Sequence, residues 1–327
     1  MSHQTEKGGN ITLFGKNMGS GNLDDDIPLD TIPALVIMIF ILVINSGVIL
    51  LISCYSSLRT SSNVILASLA VSDFLVGLVG IPLLVACSST LISSICVSSY
   101  TFFTFMALST VLHITVMTCD RYIYIIWALR YCEIVRRDRV LTVLGLTWFL
   151  SLSSLIRLWW TWNINVQTAE EDLAPMRQKE TILFLFKIVV FFLVPLMVMI
   201  VLDAHMLLLL RRQCQRITRE NLPTEFVKRE KRLQRRRRRA VLTCVLLLTL
   251  YVIFWLPYFI LEILQQNHQG QLPTQVVIVI YYLRICTSVF NPLTYTLRKY
   301  DLKQKAKHIV KKVFCCRNQN DSPEKFV

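Results

Sequence analysis

Seven long apolar stretches, separated by short polar segments, constrain this chain more than any other feature of its sequence. They lie near residues 32–54, 64–86, 96–119, 140–160, 182–210, 240–264 and 272–297. About 20 apolar residues in a helix cross the hydrocarbon layer of a bilayer, where backbone polar groups find no water. Hydrophobic residues make up 54% of the chain, which is too apolar for a soluble protein of 327 residues. The sequence therefore predicts an all-α fold, a bundle of seven transmembrane helices.

The charges between the stretches indicate which side of the membrane each loop faces. Residues 211–239 carry thirteen Lys or Arg against three acids, and the chain after the seventh stretch carries nine against three. Basic loops stay on the cytoplasmic side. The N-terminal tail and the loop 161–181 carry more acids than bases. We therefore expect a multi-pass plasma-membrane protein with an extracellular tail over residues 1–31, a seven-helix domain over 32–297 and a cytoplasmic segment over 298–327.

Several surface features follow from this orientation. Asn10 begins an Asn-Ile-Thr sequon on the extracellular side, which predicts N-glycosylation. Residues 299–314 place apolar side chains on one face and lysines on the other, which predicts a short amphipathic eighth helix on the membrane surface. Cys315 and Cys316 at its end are candidate palmitoylation sites, with ordinary cytosolic thiols as the alternative.

The five consecutive arginines at residues 235–239 resemble a nucleic-acid patch. Next to the inner leaflet, they more simply mark the end of a membrane helix and attract anionic lipid. We therefore expect membrane lipids, and no nucleic acid, as their partner.

Short motifs stand at particular places along the stretches. Asp120-Arg121-Tyr122 closes the third, and Asn291-Pro292-Leu293-Thr294-Tyr295 closes the seventh. Other motif residues, in chain order, are Asn45, Asp73 at the end of Leu-Ala-Val-Ser-Asp, Trp148, Pro195, and Trp255 with Pro257. In this order and on these spans, the motifs resemble those of the rhodopsin-like (class A) G-protein-coupled receptors over nearly the whole chain.

The resemblance implies a receptor that passes an extracellular small-molecule signal to a heterotrimeric G protein. In that family the arginine matching Arg121 contacts the G protein and is restrained by the adjacent acid, here Asp120. Pro257 removes a backbone hydrogen bond, so ligand contact near Trp255 would swing the cytoplasmic end of the sixth helix outward. Core packing is the alternative role of Trp255. The expected coupling and switch residues are Asp120, Arg121, Tyr122, Asp203, Trp255, Pro257, Asn291, Pro292 and Tyr295.

Asp73 is a carboxyl group near the middle of the membrane, where a charge costs several kcal/mol unless it is paired. We expect it to face the interior of the bundle with Asn45, Thr110 and Asn291. The resemblance implies a sodium ion at Asp73, Thr110 and Asn291, and no other cofactor is expected. A protonated Asp73 in a hydrogen-bond network is the alternative.

Two departures from the family pattern affect the switch. Asp203 stands where the family usually has a tyrosine, and it could pair with Arg121 or with the basic end of the sixth helix. Arg237 lies near the place of a restraining glutamate, so the inactive lock would depend on Asp120 and Asp203. We expect an unusual basal activity. A constitutively active or non-signalling receptor-like protein, without a conventional ligand, is the alternative function.

The family's usual disulfide over the pocket cannot form in this chain. Cys96 matches its third-span cysteine, but the loop 161–181 contains no cysteine. Cys87 is the other cysteine near the outer surface, so a Cys87 to Cys96 bridge and two free thiols are both open.

The outer half of the third span bears on the ligand. Amine receptors of this family carry an aspartate where this chain has Phe103, so an ammonium group finds no partner there. Phe103 and Ala107 share a helical face with Thr110. They form an apolar pocket wall or simply pack against neighbouring helices.

Charged residues give a second clue to the ligand. Arg284 lies ~15 Å along the seventh helix, too deep to reach water, and must find an anion on Glu262 or on the ligand. Glu262 is either this internal partner or a site for a cation of the ligand. Lys187 lies either in the pocket or at the membrane interface. Two bases against one acid suggest a small acidic or zwitterionic ligand. The candidate ligand-binding residues are Phe103, Ala107, Lys187, Phe191, Tyr258, Phe259, Glu262, Tyr281 and Arg284.

Other classes of membrane protein fit less well. No internal repeat or charged pore lining indicates a transporter or a channel. The five histidines are far apart in the sequence, so an enzyme is not expected. A retinal-binding protein would need a lysine in the seventh stretch, which has none.

Overall fold

The structure of the chain, a computed structural model, describes residues 31–90, 92–155, 185–186, 188–219, 224–266, 272–298 and 304–305. Within these ranges the chain is helical and contains no strand, as the all-α prediction requires. Six of the described helices are long and apolar enough to cross a membrane. The helix of the fourth predicted span has 16 residues, Arg137–Leu152, and the rest of that span after residue 155 lies outside the described ranges.

The helices exceed the predicted spans mainly at one end of the bundle. We call this end the cytoplasmic end and the opposite half the outer half, after the orientation predicted from loop charge. The helices are Thr31–Cys54, Ser61–Leu75 with Ile81–Thr90, Ser93–Ile126, Arg137–Leu152, Val194–Arg219, Thr224–Gln266 and Thr274–Arg298. Two short helical turns, Ser56–Leu58 and Tyr131–Ile134, lie in the cytoplasmic loops. The sixth helix begins well before predicted residue 240, because the segment ahead of that residue is rich in Lys and Arg, which are good helix formers.

Apolar side chains cover these helices on all sides, as expected for helices surrounded by lipid. Val43 and Phe149 are 64% and 70% exposed in the bundle and would face hydrocarbon. Buried apolar side chains on the inward faces form a central cluster, which includes Val48 of the first helix and Trp255 of the sixth. Two further clusters lie near the outer side and at the cytoplasmic end of the bundle.

Two π-helical turns interrupt the helices beside the outer half of the bundle. One is Val76–Gly80 in the second span, and the other is Val189–Leu193 at the start of the fifth. Gly80 lets the aromatic rings of the third helix approach closely, since an added Cβ would lie 3.3 Å from the ring of Phe103. A π turn shifts the face that a helix presents, and such turns are frequent at functional sites.

A buried histidine holds the fourth helix against the second and third. His113 Nδ1 lies 2.7 Å from the carbonyl oxygen of Ser109, so this nitrogen carries the proton. The other ring nitrogen lies 2.8 Å from Oγ of Ser68, which also accepts a 3.0 Å hydrogen bond from the indole of Trp148. The fourth-span tryptophan is therefore a docking residue with its polar atom satisfied.

Prolines lie inside two of the helices. Pro257 interrupts the backbone hydrogen bonding of the sixth helix, and Pro292 that of the seventh. Each removes one donor from the ladder and permits a bend at that point. The sixth helix therefore has its weak point beside Trp255, which stands two residues before Pro257.

A disulfide joins the outer ends of the second and third helices. Cys87 and Cys96 are bonded, with their Cα atoms 4.8 Å apart. Of the two alternatives left open by the sequence, the structure has the bridge. It fixes one wall of the outer bundle by a short covalent loop.

Removing the bridge is expected to lower stability. A disulfide that closes a loop of nine residues contributes about 2.5 kcal/mol by the chain-entropy relation. Cys87→Ser and Cys96→Ser should therefore lower the Tm of the detergent-purified protein by similar amounts. Cys54→Ser, which removes an exposed free thiol, is the matched control. Alkylation of both Cys87 and Cys96 in non-reduced protein would contradict the bridge.

Candidate functional site

An ion pair at the cytoplasmic end of the third helix forms the first cluster of candidate residues. Asp120 is buried, and its Oδ2 atom lies 3.3 Å from Nη2 of Arg121. Its other oxygen accepts a 2.7 Å hydrogen bond from the hydroxyl of Tyr131, in the following loop. Burial and the Asp120 carboxylate raise the pKa of Tyr131, so this phenol remains a donor. The expected pairing of Asp120 with Arg121 is present, and both oxygens of the acid are engaged.

Arg121 makes a second contact across the bundle. Its guanidinium donates a hydrogen bond to Oγ of Ser62, at the start of the second span. Ser62 and Tyr131 are not among the candidate residues chosen from sequence. Nothing local distinguishes Ser62 from other helix-end serines, whereas Tyr131 stands in a Leu-Arg-Tyr segment that resembles the family.

Asp203 does not join this cluster. It is 3% exposed, and neither carboxylate oxygen has a hydrogen-bond partner among the described residues. Its predicted pairing with Arg121 or with the sixth-helix arginines is wrong for the described part of the chain, because Asp120 and Ser62 already hold Arg121. An unpartnered buried polar group costs about 1–3 kcal/mol. Asp203 therefore destabilises the conformation described by the structure.

Other polar contacts close the cytoplasmic end. The hydroxyl of Tyr122 lies 2.9 Å from Nδ1 of His205, which joins the third and fifth helices. Arg237 donates a 2.9 Å hydrogen bond to the side chain of Gln213, which joins the fifth and sixth. Arg237, in place of the family's restraining glutamate, thus binds the sixth helix to the fifth.

A polar network occupies the middle of the bundle. Asn291 donates a 3.3 Å hydrogen bond to Oδ2 of Asp73, and the side chains of Ser288 and Thr110 face the same carboxyl group. Asn45 does not bind Asp73 directly, contrary to expectation, because its amide donates to the carbonyl oxygens of Ile41 and Ser288. Those two bonds join the first and seventh helices.

Aromatic side chains connect the middle of the bundle with its outer half. The indole of Trp255 lies with its centroid 6.1 to 6.2 Å from the rings of Tyr251, Tyr258 and Phe259. Its Nε1 atom and the hydroxyl of Tyr295 are buried without a hydrogen-bond partner among the residues the structure describes. Both of these motif residues therefore have unused hydrogen-bonding capacity in this conformation.

Arg284 lies in the interior of the bundle, as predicted, but its neighbours are aromatic. It is 7% exposed, and the guanidinium carbon lies 4.3 Å from the ring centroid of Tyr258. The rings of Phe103, Trp255 and Tyr281 follow at 5.5, 5.9 and 6.0 Å. We call these four rings the aromatic cage.

The aromatic cage compensates the charge of Arg284 only in part. A desolvated cation gains about 2 kcal/mol from a close aromatic face, whereas an arginine at mid-membrane costs at least about 2.5–3.5 kcal/mol. Within the described ranges, the guanidinium has no ion pair, and none of its N–H groups donates a hydrogen bond. The need for an anion, inferred from the sequence, is not met by a described acid.

Glu262 is engaged elsewhere. Its Oε1 atom accepts hydrogen bonds from the hydroxyls of Tyr258 and, at 3.4 Å, Tyr100. The direct pairing of Glu262 with Arg284 is therefore wrong for this structure, since the acid is bound to phenols one turn along its own helix and on the third helix. Tyr258 contacts both charged groups, one through its hydroxyl and the other through its ring face.

A small cavity of about 20 Å³ opens beside the aromatic cage. Its lining residues are Thr104, Ala107, Leu108, Val111, Trp255, Tyr258, Phe259 and Arg284. Four of these, Ala107, Tyr258, Phe259 and Arg284, are among the predicted ligand-binding residues. The sequence did not identify Thr104, Leu108 and Val111, although they share one helical face at a spacing of three to four residues. Trp255 had been assigned only to the switch.

Some predicted site residues lie outside the part of the chain that the structure describes. Lys187, Asn10, Cys315 and Cys316 lie outside the described residues, as does the side chain of Phe191. Of the predicted amphipathic eighth helix, only residues 304–305 are described, and the Nζ atom of Lys305 lies 5.1 Å from the ring of Tyr55.

Comparison with known proteins gives one family and several relatives. Residues 44–295 match the family described as 7 transmembrane receptor (rhodopsin family). The chain is 25% identical over 283 residues to the adenosine receptor A3 of Ovis aries, covering 83% of this chain and 86% of the relative. It is 23% identical over 315 residues to the histamine H2 receptor of Cavia porcellus, covering 93% and 85%. It is 26% identical over 273 residues to the trace amine-associated receptor 9 of Mus musculus, covering 77% and 75%.

Asp203→Asn should stabilise the protein. The amide has nearly the same shape as the carboxyl group but never carries a charge, so it removes part of the desolvation cost at this buried site. We expect the Tm of the detergent-purified protein to rise, by less than the equivalent of the about 1–3 kcal/mol that an unpartnered buried group costs, because the amide is unpartnered as well. Asp138→Asn, at an exposed acid in the first turn of the fourth helix, is the matched control and should leave Tm unchanged or slightly lower. A lower Tm for Asp203→Asn would mean that the carboxyl group is bound.

Proposed function

The chain belongs to the rhodopsin family of seven-transmembrane receptors, and we propose that it carries an extracellular small-molecule signal, acidic or zwitterionic, to a heterotrimeric G protein. The observation that carries the proposal is the position of Trp255. It lines the outer cavity, and it lies two residues from the proline that interrupts the sixth helix. A ligand in the cavity would therefore touch the helix close to its weak point.

The proposed switch is an outward movement of the cytoplasmic half of the sixth helix about Pro257. Ligand contact changes the packing of Trp255 on Tyr251 and Phe259, and the change is amplified by the length of helix beyond the proline. A ligand shifts the equilibrium by the difference between its affinities for the two conformations. The hydrogen bond from Arg237 to Gln213 joins the sixth helix to the fifth. It must therefore persist or be replaced by another contact as the sixth helix moves.

Arg121 is the proposed contact for the G protein. In the described conformation it is bound to Asp120 and Ser62, so it is directed at its own bundle. Opening of the cytoplasmic end would let it exchange these partners for the G protein. Tyr131 would keep Asp120 hydrogen-bonded during the exchange, since its hydroxyl holds the other carboxylate oxygen.

We also propose the cellular setting that loop charges indicate. The receptor would lie in the plasma membrane with its N-terminus outside, glycosylated at Asn10 and palmitoylated at Cys315 and Cys316. The basic ends of the fifth and sixth helices would bind anionic lipid of the inner leaflet.

A sodium ion is proposed for the network around Asp73. The Oδ1 atom of Asp73 is buried without a hydrogen-bond partner among the described residues, which leaves an anionic oxygen for a cation. Thr110 faces the same carboxyl group and offers a hydroxyl oxygen. Asn291 now donates to Asp73 through its amide nitrogen, and rotation of the amide would offer its oxygen to the ion. A cation bound by these three residues would supply the positive charge that a buried carboxylate requires.

A constitutively active receptor without a conventional ligand is the second candidate function. Asp203 favours this candidate. Its buried carboxyl group has no partner among the described residues, which destabilises the conformation described by the structure. Any conformation in which the carboxyl group has a partner is therefore more populated. Agonist-independent signalling of the unmodified chain distinguishes this candidate from a ligand-dependent or silent protein.

Arg121→Ala should abolish signalling while leaving the protein at the cell surface. The side chain is half-buried at the membrane edge, so its loss removes the G-protein contact without opening a large core cavity. Agonist-independent cAMP and G-protein dissociation are measured at matched surface level, with Arg139→Ala as control for a cytoplasmic arginine outside the motif. Equal signalling by Arg121→Ala and the parent would contradict the coupling role.

Asp203→Tyr should raise basal signalling severalfold. The change restores the tyrosine that the family uses with the residue matching Tyr295 in its active network. We expect this gain to outweigh the stabilisation of the described conformation that removal of the buried acid brings. Asp203→Phe supplies the same ring without the hydroxyl and should not reproduce the rise. Unchanged basal output of Asp203→Tyr at matched expression would show that this position does not influence the switch.

A further inference from the structure

Two donor groups beside the outer cavity have no acceptor among the described residues. Among the described residues, the guanidinium of Arg284 has no hydrogen-bond acceptor, and Nε1 of Trp255 has none either. Both side chains line the cavity, and both are more than nine-tenths buried. A ligand with acceptor oxygens and a negative charge satisfies this pair, whereas a ligand with only N–H donors does not.

The lining gives a ligand's ammonium group no described carboxylate. Glu262 is the acid of this region, and it does not line the cavity. Its carboxylate is bound to the hydroxyls of Tyr258 and Tyr100 instead. The hydroxyl of Thr104, which does line the cavity, donates to the carbonyl oxygen of Tyr100 at 2.9 Å. Of the charged groups that an acidic or zwitterionic ligand carries, the lining therefore matches the negative one.

The remaining surface of the cavity is apolar. Ala107, Leu108 and Val111 line it from the third helix, and Phe259 lines it from the sixth. The ring of Phe103 bounds Arg284 on the other side and is itself packed against Gly80. The wall around the charged group is thus made of hydrocarbon and aromatic faces held in place by close packing.

We infer that the ligand of this receptor is a monocarboxylate with an apolar body, its carboxylate bound by Arg284 and its body lying against the third and sixth helices. The planar fork of a guanidinium binds a carboxylate through two parallel N–H donors. The aromatic cage orients that fork, because a guanidinium stacks on ring faces and leaves its edge free for the anion. This inference rests on the proposed function only in taking the outer cavity as the ligand site.

A matched series of acids and amides tests the inference. The purified full-length protein in detergent is titrated with acetate, butanoate, hexanoate, octanoate and decanoate, each beside its primary amide, and the rise in Tm is converted to an affinity. Each amide keeps the shape of its acid and lacks the charge. We expect at least one acid to bind at least about tenfold tighter than its amide. Affinity should increase with chain length, by up to about fourfold for each methylene, until the cavity is filled.

Three variants assign the effect to the cavity. Arg284→Gln should make the acid and its amide equal, and Arg284→Lys should keep part of the preference, because lysine retains the charge without the fork. Ala107→Phe fills the cavity with Arg284 intact and should weaken acid and amide alike. Arg139→Gln, a cytoplasmic arginine, is the control and should leave the series unchanged. If Arg284→Gln does not fold, Arg284→Lys and Ala107→Phe still decide the assignment.

The outcomes separate this inference from the proposed function. An acid that binds through Arg284 without changing G-protein dissociation would support the ligand class and overturn the signalling role. A receptor that signals in an Arg121-dependent way but prefers no acid over its amide would overturn the ligand class and leave the signalling role standing. Tighter binding of the matching alkylamines, or an acid preference that survives in Arg284→Gln, would also overturn the ligand class.

Discussion

The absence of water in the bilayer interior is the constraint on which the rest of this structure depends. Every polar group there needs a partner within the protein. The amide of Asn45 donates hydrogen bonds to carbonyl oxygens of the first and seventh helices. His113 joins the second, third and fourth helices. These hydrogen bonds hold the bundle together. Trp255, Tyr295 and Asp203 carry buried polar atoms without a hydrogen-bond partner among the described residues. The first two are family motif residues, and the third stands where this chain departs from the family pattern.

Two arginines show how differently the same charge is accommodated. Arg121 lies near the membrane edge and is paired with a carboxylate whose second oxygen is bound by a phenol. Arg284 lies deep in the bundle and faces aromatic rings, which attract the charge without accepting its N–H groups. The first is a closed ion pair that has to be broken for Arg121 to act. The second has no acid paired with it among the described residues, and the proposed ligand would supply the anion.

The outer wall of the bundle is fixed before any ligand arrives. A disulfide closes the second helix on the third, and the π turn that follows Asp73 by one turn lets Gly80 pack against Phe103. The sixth helix has no such covalent restraint in its described part and contains a proline beside the cavity. Movement is therefore expected on the sixth helix, with the second and third helices as the rigid frame.

The sequence by itself determined the number of spans and the family, because hydropathy and the motif residues are local properties of the chain. It also placed Arg284 in the interior, since a charge at that depth cannot reach water. The sequence did not decide partners. Whether Cys87 meets Cys96, whether Asp203 meets Arg121, and whether Glu262 meets Arg284 depend on helix rotation and on distances of a few ångströms between spans far apart in the chain. Only the tertiary structure decided these: the cysteines are bonded, Asp203 is left alone, and aromatic rings take the place beside Arg284, because each side chain binds the neighbour that packing brings within reach.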